Sequence, residues 1–149
     1  MQDRFVAAAA LVVVAGVAGC SSSSKSPPPP PGSLPPVTAH ITINGQDAGT
    51  AHFIDCGQLQ HYFTIKTGDQ AAGVTAVVES IEGGDKVAAK SVEITNMGGF
   101  TGSFWQGLAG NADAKVSGNT YTINGTATGF NTDNPNKQAT ATFQIKAAC

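Results

Sequence analysis

Cys20 is the residue whose type and position specify chemistry most directly. It ends the tetrapeptide Val-Ala-Gly-Cys at residues 17–20, which follows an apolar run and precedes a run of serines. Small residues before a cysteine are typical of a bacterial lipobox, where a signal peptidase can close on the backbone. In that chemistry a diacylglyceryl group alkylates the thiol, and cleavage makes the cysteine the first residue of the mature chain. We therefore predict lipidation at Cys20 and a signal peptide over residues 1–19.

The apolar segment of residues 5–17 fits the hydrophobic part of a signal peptide. A helix needs roughly 20 residues to cross a hydrocarbon core of about 30 Å, and this segment is shorter. An uncleaved N-terminal helix or a buried core helix is the alternative interpretation.

The other two cysteines, Cys56 and Cys149, form an even pair once Cys20 is assigned to the lipobox. Export exposes a protein to oxidising conditions, which favour a disulfide. A loop of about 100 residues closed by such a bridge is worth up to about 4.7 kcal/mol in the chain-entropy model. The alternatives are two unrelated buried thiols, or a thiol nucleophile activated by His52 or His61.

The remaining polar residues do not indicate an active site or a metal site. The histidines are His40, His52 and His61. They lack the HxH or HxxxH spacing that would support metal binding, so we expect them on strand surfaces. The sequence has no GxSxG nucleophile elbow. The carboxylate pairs Asp47/Asp55 and Glu79/Glu82 lack the oxygen order of a calcium loop and are expected to be solvated.

Aromatic residues gather over residues 100–108 and form the best candidate for a binding surface. Phe104 and Trp105 are neighbours, so on a strand they face opposite sides. We favour packing of both rings in the core through a bulge at Gly102 or Gly107. The functional alternative is an apolar groove for a lipid or glycolipid, lined by Phe100, Phe104 and Trp105.

Charge argues against a nucleic-acid partner. Residues 38–149 contain six Lys, no Arg and nine acidic residues, a net charge of about −3. No basic stripe is present to neutralise phosphates.

Two regions of different composition must position these residues. Residues 20–37 are rich in Ser and Pro and are predicted to be a disordered tether, with polyproline II over residues 27–31. The serines of this tether are either O-glycosylated or unmodified. Residues 38–149 have the length of one domain.

This domain is predicted to be all-β, a single antiparallel β-sandwich or an open barrel-like domain. Strand-length segments recur every 8–14 residues or so with Gly or Asn at the joins. The tetrapeptide Thr-Ile-Asn-Gly occurs at residues 42–45 and 122–125, and we interpret both copies as turns. Two stretches, residues 71–82 and 86–92, could compete as helices. We keep a short helix over residues 71–82 as the alternative, since four apolar side chains there also fit a helical stripe.

Several of these features together resemble the mycobacterial 19-kDa lipoprotein antigen family. They are the lipobox, the low-complexity tether, Ile-Thr-Ile-Asn-Gly at residues 41–45, Cys56, Tyr-Thr-Ile-Asn-Gly-Thr-Ala-Thr-Gly at residues 121–129, and the terminal Cys149. The placement of the last two cysteines is similar to the pair in that family. The resemblance implies a triacylated envelope lipoprotein, exposed at the surface, that binds host cells and is recognised by Toll-like receptor 2 through its acylated N-terminus.

We therefore predict a cell-envelope lipoprotein, anchored on the outer side of the membrane, that acts as a surface antigen and adhesin. The alternative is a module that binds or transports an envelope lipid or another small ligand. Neither function requires an enzyme activity, a cofactor or a nucleic-acid partner.

Overall fold

The computed structural model describes residues 28, 30–81, 83 and 86–149. The predicted signal peptide, Cys20 and residues 21–27 and 29 of the tether lie outside the described residues. All regular structure in the described part is β, which confirms the predicted fold class. The strands are β1 Ala39–Ile43, β2 Gln46–Ala51, β3 Ile54–Leu59, β4 Tyr62–Gly68, β5 Gly73–Ile81, β6 Lys86–Met97, β7 Phe100–Trp105, β8 Asn111–Ser117, β9 Thr120–Asn131 and β10 Asn134–Ala148.

The strands form one antiparallel sheet with the order β2-β1-β10-β9-β7-β6-β5-β4-β3, and β8 pairs with the first half of β9. The two outermost strands, β2 and β3, are consecutive in the chain and are joined only by His52 and Phe53. In a flat sheet they would lie roughly 38 Å apart, at about 4.8 Å per strand. A two-residue link spans roughly 11 Å. The sheet is therefore curled so that its two ends meet, as expected for a barrel-like domain.

The core fills the inside of this curled sheet, because alternate residues of each strand point inward. The largest fully buried side chains are Phe100, Ile41, Ile65, Ile94, Ile123, Ile145, Val78 and Val92. The rings of Phe63 on β4 and Tyr121 on β9 lie 5.6 Å apart and join the two halves of the sheet.

The described part of the predicted helix, residues 71–81, is not helical, so that alternative is wrong. Gly73–Ile81 is strand β5, hydrogen-bonded to β4 on one side and β6 on the other. Val74, Ala76 and Val78 are buried in alternation. β-Branched side chains suit such a pleated surface, and two neighbouring strands satisfy the backbone groups that a helix would have paired internally.

The two copies of Thr-Ile-Asn-Gly have different structures. Asn44 and Gly45 both have positive φ, at 51° and 76°, and make the predicted tight turn between β1 and β2. The second copy lies inside β9, so the prediction of a turn there is wrong. A glycine at position 125 allows β8 to lie close to β9, because a Cβ at this position would overlap Asn111 O on β8.

The chain enters the domain at one end of the sheet, which we call the tether end. There the Leu34 N–H donates to Thr120 Oγ1 at 3.1 Å. The Val37 N–H donates to Ala148 O at 3.2 Å. Contacts of the domain thus reach back into residues that composition assigns to the tether. The turns at residues 98–99 and 132–133 lie at the opposite end, which we call the far end.

Candidate functional site

Cys20 lies outside the described residues, so its lipidation stays a prediction. The nearest described backbone is that of Pro28 and of the segment from Pro30 onward. Pro30 lies beside the β8–β9 turn, where a Cβ on Gly118 would sit 3.5 Å from Pro30 Cγ. The tether therefore reaches the domain at the turn that precedes β9.

Cys56 and Cys149 form a disulfide, as predicted, with their Cα atoms 6.0 Å apart. Cys56 is on the edge strand β3, and Cys149 follows β10, where its N–H donates to Asn119 O at 2.9 Å. The interpretation as two unrelated thiols is wrong. With its sulfur in the bridge, neither cysteine is a free thiol nucleophile.

The aromatic residues of β7 lie on opposite faces of the sheet. Phe100 and Phe104 are buried in the core, the latter 3% exposed, whereas Trp105 is 50% exposed. Strand alternation predicts this split. Packing of both Phe104 and Trp105 in the core, the interpretation favoured from the sequence, is wrong. β7 keeps its regular alternation through Trp105, so no bulge turns this side chain toward the core.

Trp105 borders an open depression of about 290 Å³ on the outer face of the sheet. Polar side chains share this depression, among them Glu93, Thr95 and Ser103. The structure therefore does not gather Phe100, Phe104 and Trp105 into one groove: two of the rings lie in the core and the third lies on the outer face of the sheet.

The three histidines lie apart along the chain: His40 is on β1, His52 is in the link between β2 and β3, and His61 is in a turn, so the prediction of strand surfaces is wrong for the last two. His40 on β1 is near Asp47 on β2, with Nε2 and Oδ2 3.2 Å apart. The Gly49 N–H donates to Asp47, and this bond together with His40 lowers the pKa of that carboxyl. His61 lies in the β3–β4 turn beside Tyr62, with ring centroids 5.7 Å apart. Among the described residues, no three His, Cys, Asp or Glu side chains are grouped so that they could hold a metal ion.

Lys90 is the centre of a polar network that sequence reasoning missed. Its Nζ lies 2.6 Å from Glu79 Oε2 and donates to Gln106 Oε1 at 2.9 Å. The hydrogen bond from Lys90 lowers the pKa of Glu79, and the same bond raises the pKa of Lys90. No sequence signal identifies this network, because the register of β5 against β6, with a bulge after Val77, brings the charges together.

The described residues contain no helix that is both long enough and apolar enough to cross a membrane.

The chain is similar to several mycobacterial lipoproteins. A family model described as Mycobacterium 19 kDa lipoprotein antigen matches residues 32–149. A putative lipoprotein of Mycobacterium indicus pranii is 42% identical over 112 residues, which cover 75% of this chain and 78% of that protein. Probable lipoprotein LppE of Mycobacterium tuberculosis is 38% identical over 117 residues, covering 78% and 81%. Lipoprotein LpqH of Mycobacterium avium is 33% identical over 110 residues, covering 73% and 66%.

Proposed function

Because this chain belongs to the Mycobacterium 19 kDa lipoprotein antigen family, we propose that it is a lipoprotein antigen held at the outer side of the cell membrane by acyl groups on Cys20. One observation carries the proposal: a lipobox at residues 17–20 stands directly before the tether of a domain that the family model matches over residues 32–149. The similar proteins named lipoproteins support the same assignment.

We assign recognition by the host immune system to the lipid on Cys20. We propose that Toll-like receptor 2 recognises this acylated N-terminus, and that the exposed domain contacts host cells. Cys56 and Cys149 are joined to each other and lie in the folded domain. Of the three cysteines, Cys20 is thus the one that can receive the acyl groups.

The Cys20→Ala variant, expressed in a mycobacterial host, tests this proposal. The expected result is loss of the variant from the detergent-rich phase of a Triton X-114 extract and loss of receptor signalling in reporter cells. The double variant Cys56→Ala/Cys149→Ala is the matched control and should keep its detergent partition, since it retains the lipobox. Unchanged partition of the Cys20→Ala variant would overturn the proposal.

A second candidate function is binding of an envelope lipid or another small ligand at Trp105. The observation in its favour is the half-exposed indole beside a depression of about 290 Å³. Trp105 is the single tryptophan of the chain, so its fluorescence reports directly on this surface. Titration with extracted envelope lipids should shift and saturate the emission if binding occurs there. A linear, unsaturated response would count against this candidate.

A further inference from the structure

Three exposed apolar side chains lie together on the outer face of the sheet at the tether end. Leu59 is 77% exposed, Ile81 is 46% exposed and Tyr62 is 39% exposed. Leu59 and Tyr62 are opposite each other in the β3–β4 hairpin. Tyr62 is opposite Glu79, and Ile81 follows Glu79 on the same face of β5. We call Leu59, Tyr62 and Ile81 the hairpin patch.

The hairpin patch and the entry of the tether are at the same end of the domain. A cleft at this end is lined by Gln58 and Ser80, the neighbours of Leu59 and Ile81, and by Gly118 of the β8–β9 turn. Pro30 lies against that same Gly118.

The length of the tether limits how far this end can lie from the membrane. Ten peptide units separate Cys20 from Pro30. At no more than about 3.6 Å per residue, they span at most about 36 Å. The strand β10 alone, with 15 residues, runs from the far end to the tether end and is about 50 Å long. Anchorage at Cys20 therefore keeps the hairpin patch within reach of the lipid surface.

We propose that the hairpin patch inserts into the interface of the bilayer that holds Cys20, so that the domain docks on the membrane by its tether end and presents its far end outward. This inference rests on the proposed anchorage at Cys20. Leu59 and Ile81 supply apolar area, and Tyr62 has the apolar ring and polar hydroxyl that favour membrane interfaces.

Because the tether already holds the domain at the membrane, a low affinity of the hairpin patch for the bilayer is sufficient for docking. Linking converts docking into an intramolecular event with an effective concentration in the millimolar range. Three partly exposed side chains therefore need to supply only a modest affinity. Charge near the patch is partly compensated, because the carboxylate of Glu79 is paired with Lys90.

Depth-dependent quenching tests the docking. The acylated chain is purified from a mycobacterial host with Trp105→Phe, which removes the single tryptophan, and carries either Leu59→Trp or Asp133→Trp. Both positions are exposed, the first in the hairpin patch and the second in the β9–β10 turn at the far end. Each variant is reconstituted in phosphatidylcholine vesicles with and without brominated acyl chains.

We expect the Leu59→Trp variant to show blue-shifted emission and several-fold stronger quenching by the brominated lipid than the Asp133→Trp variant. Equal, weak quenching of both variants in a preparation that partitions with the vesicles would overturn the docking and leave the anchorage intact. Failure to partition with the vesicles would instead overturn the anchorage. If circular dichroism shows that Leu59→Trp does not fold, Ile81→Trp carries the same expectation.

Discussion

Cys149, the last residue of the chain, is bonded to Cys56 on the edge strand β3, with 6.0 Å between their Cα atoms. Five strands separate β10 from β3 in the sheet order. The bridge therefore joins the edge strand β3 to the C-terminal end of β10, and no backbone ladder links these two strands. It holds the sheet closed close to where the tether enters.

Removal of this bridge should destabilise the domain. The cysteines are 93 residues apart in sequence. A bridge that closes a loop of this length restricts the conformations of the unfolded chain and so lowers its entropy. Loss of a native disulfide typically lowers the free energy of unfolding by about 2–4 kcal/mol. Urea denaturation of Cys56→Ala/Cys149→Ala should show a free energy of unfolding lower by about that amount. The parent chain measured in reductant is the control and should match the variant. An unchanged midpoint in both would contradict the prediction.

Gly129 should not tolerate a side chain. It is opposite Gly102 in the β7–β9 ladder, and a Cβ there would overlap Thr101 O and the backbone of Gly102. The two strands would have to separate, and such overpacking costs about 1–3 kcal/mol. Gly129→Ala should lower the thermal midpoint by several degrees. Gly57→Ala is the matched control, since a Cβ on Gly57 meets nothing within 4 Å. Equal midpoints for the two variants would refute the close approach of β7 and β9.

Phe104 and Trp105 should differ sharply when truncated, although they are adjacent and both aromatic. Phe104 is buried and Trp105 is half-exposed. Phe104→Ala leaves a cavity in the core and should cost about 3–5 kcal/mol. Trp105→Ala removes a ring from the outer face and should cost well under half of that. Chemical denaturation of both variants decides this. A larger loss for Trp105→Ala would mean that the faces of β7 are reversed.

The pairing of Glu79 with Lys90 should be visible in a pH titration. The hydrogen bond from Lys90 lowers the pKa of the Glu79 carboxyl below its usual value of 4.5. A carboxyl with a lowered folded-state pKa stabilises the fold above its unfolded-state pKa, and this contribution is lost as the pH falls through the folded-state pKa. Side-chain NMR should show the pKa of Glu79 rising toward 4.5 in Lys90→Met.

The control for this titration is Lys86→Met, because Lys90 and not Lys86 is among the groups that lower the pKa of Glu79. Its effect on the pKa of Glu79 should be small. The effect on stability should also be small in either variant, since solvent screens an ion pair at the protein surface. Identical Glu79 pKa values in the parent and in Lys90→Met would show that the two side chains do not pair in solution.

Local patterns determined much of this protein. Alternation of apolar and polar residues, with Asn-Gly and Gly-Gly at the joins, predicted an all-β domain because the side chains of a strand alternate between its faces. Cysteine parity predicted the pair Cys56 and Cys149. The tetrapeptide ending at Cys20 predicted lipidation, because a signal peptidase recognises the local sequence and not a folded structure. Each of these predictions depends either on residues that are close together in sequence or on the number of cysteines in the chain.

Tertiary structure alone decided which pattern applies where two patterns compete. Residues 73–81 became a strand because β4 and β6 pair with both of its edges. The second Asn-Gly became strand because β8 packs against Gly125, whereas the first, at Asn44, makes a turn. The approach of Lys90 to Glu79 and the placement of the hairpin patch beside the tether depend on strand register and on curling of the sheet. Those are set by packing between distant segments, which no local stretch of sequence contains.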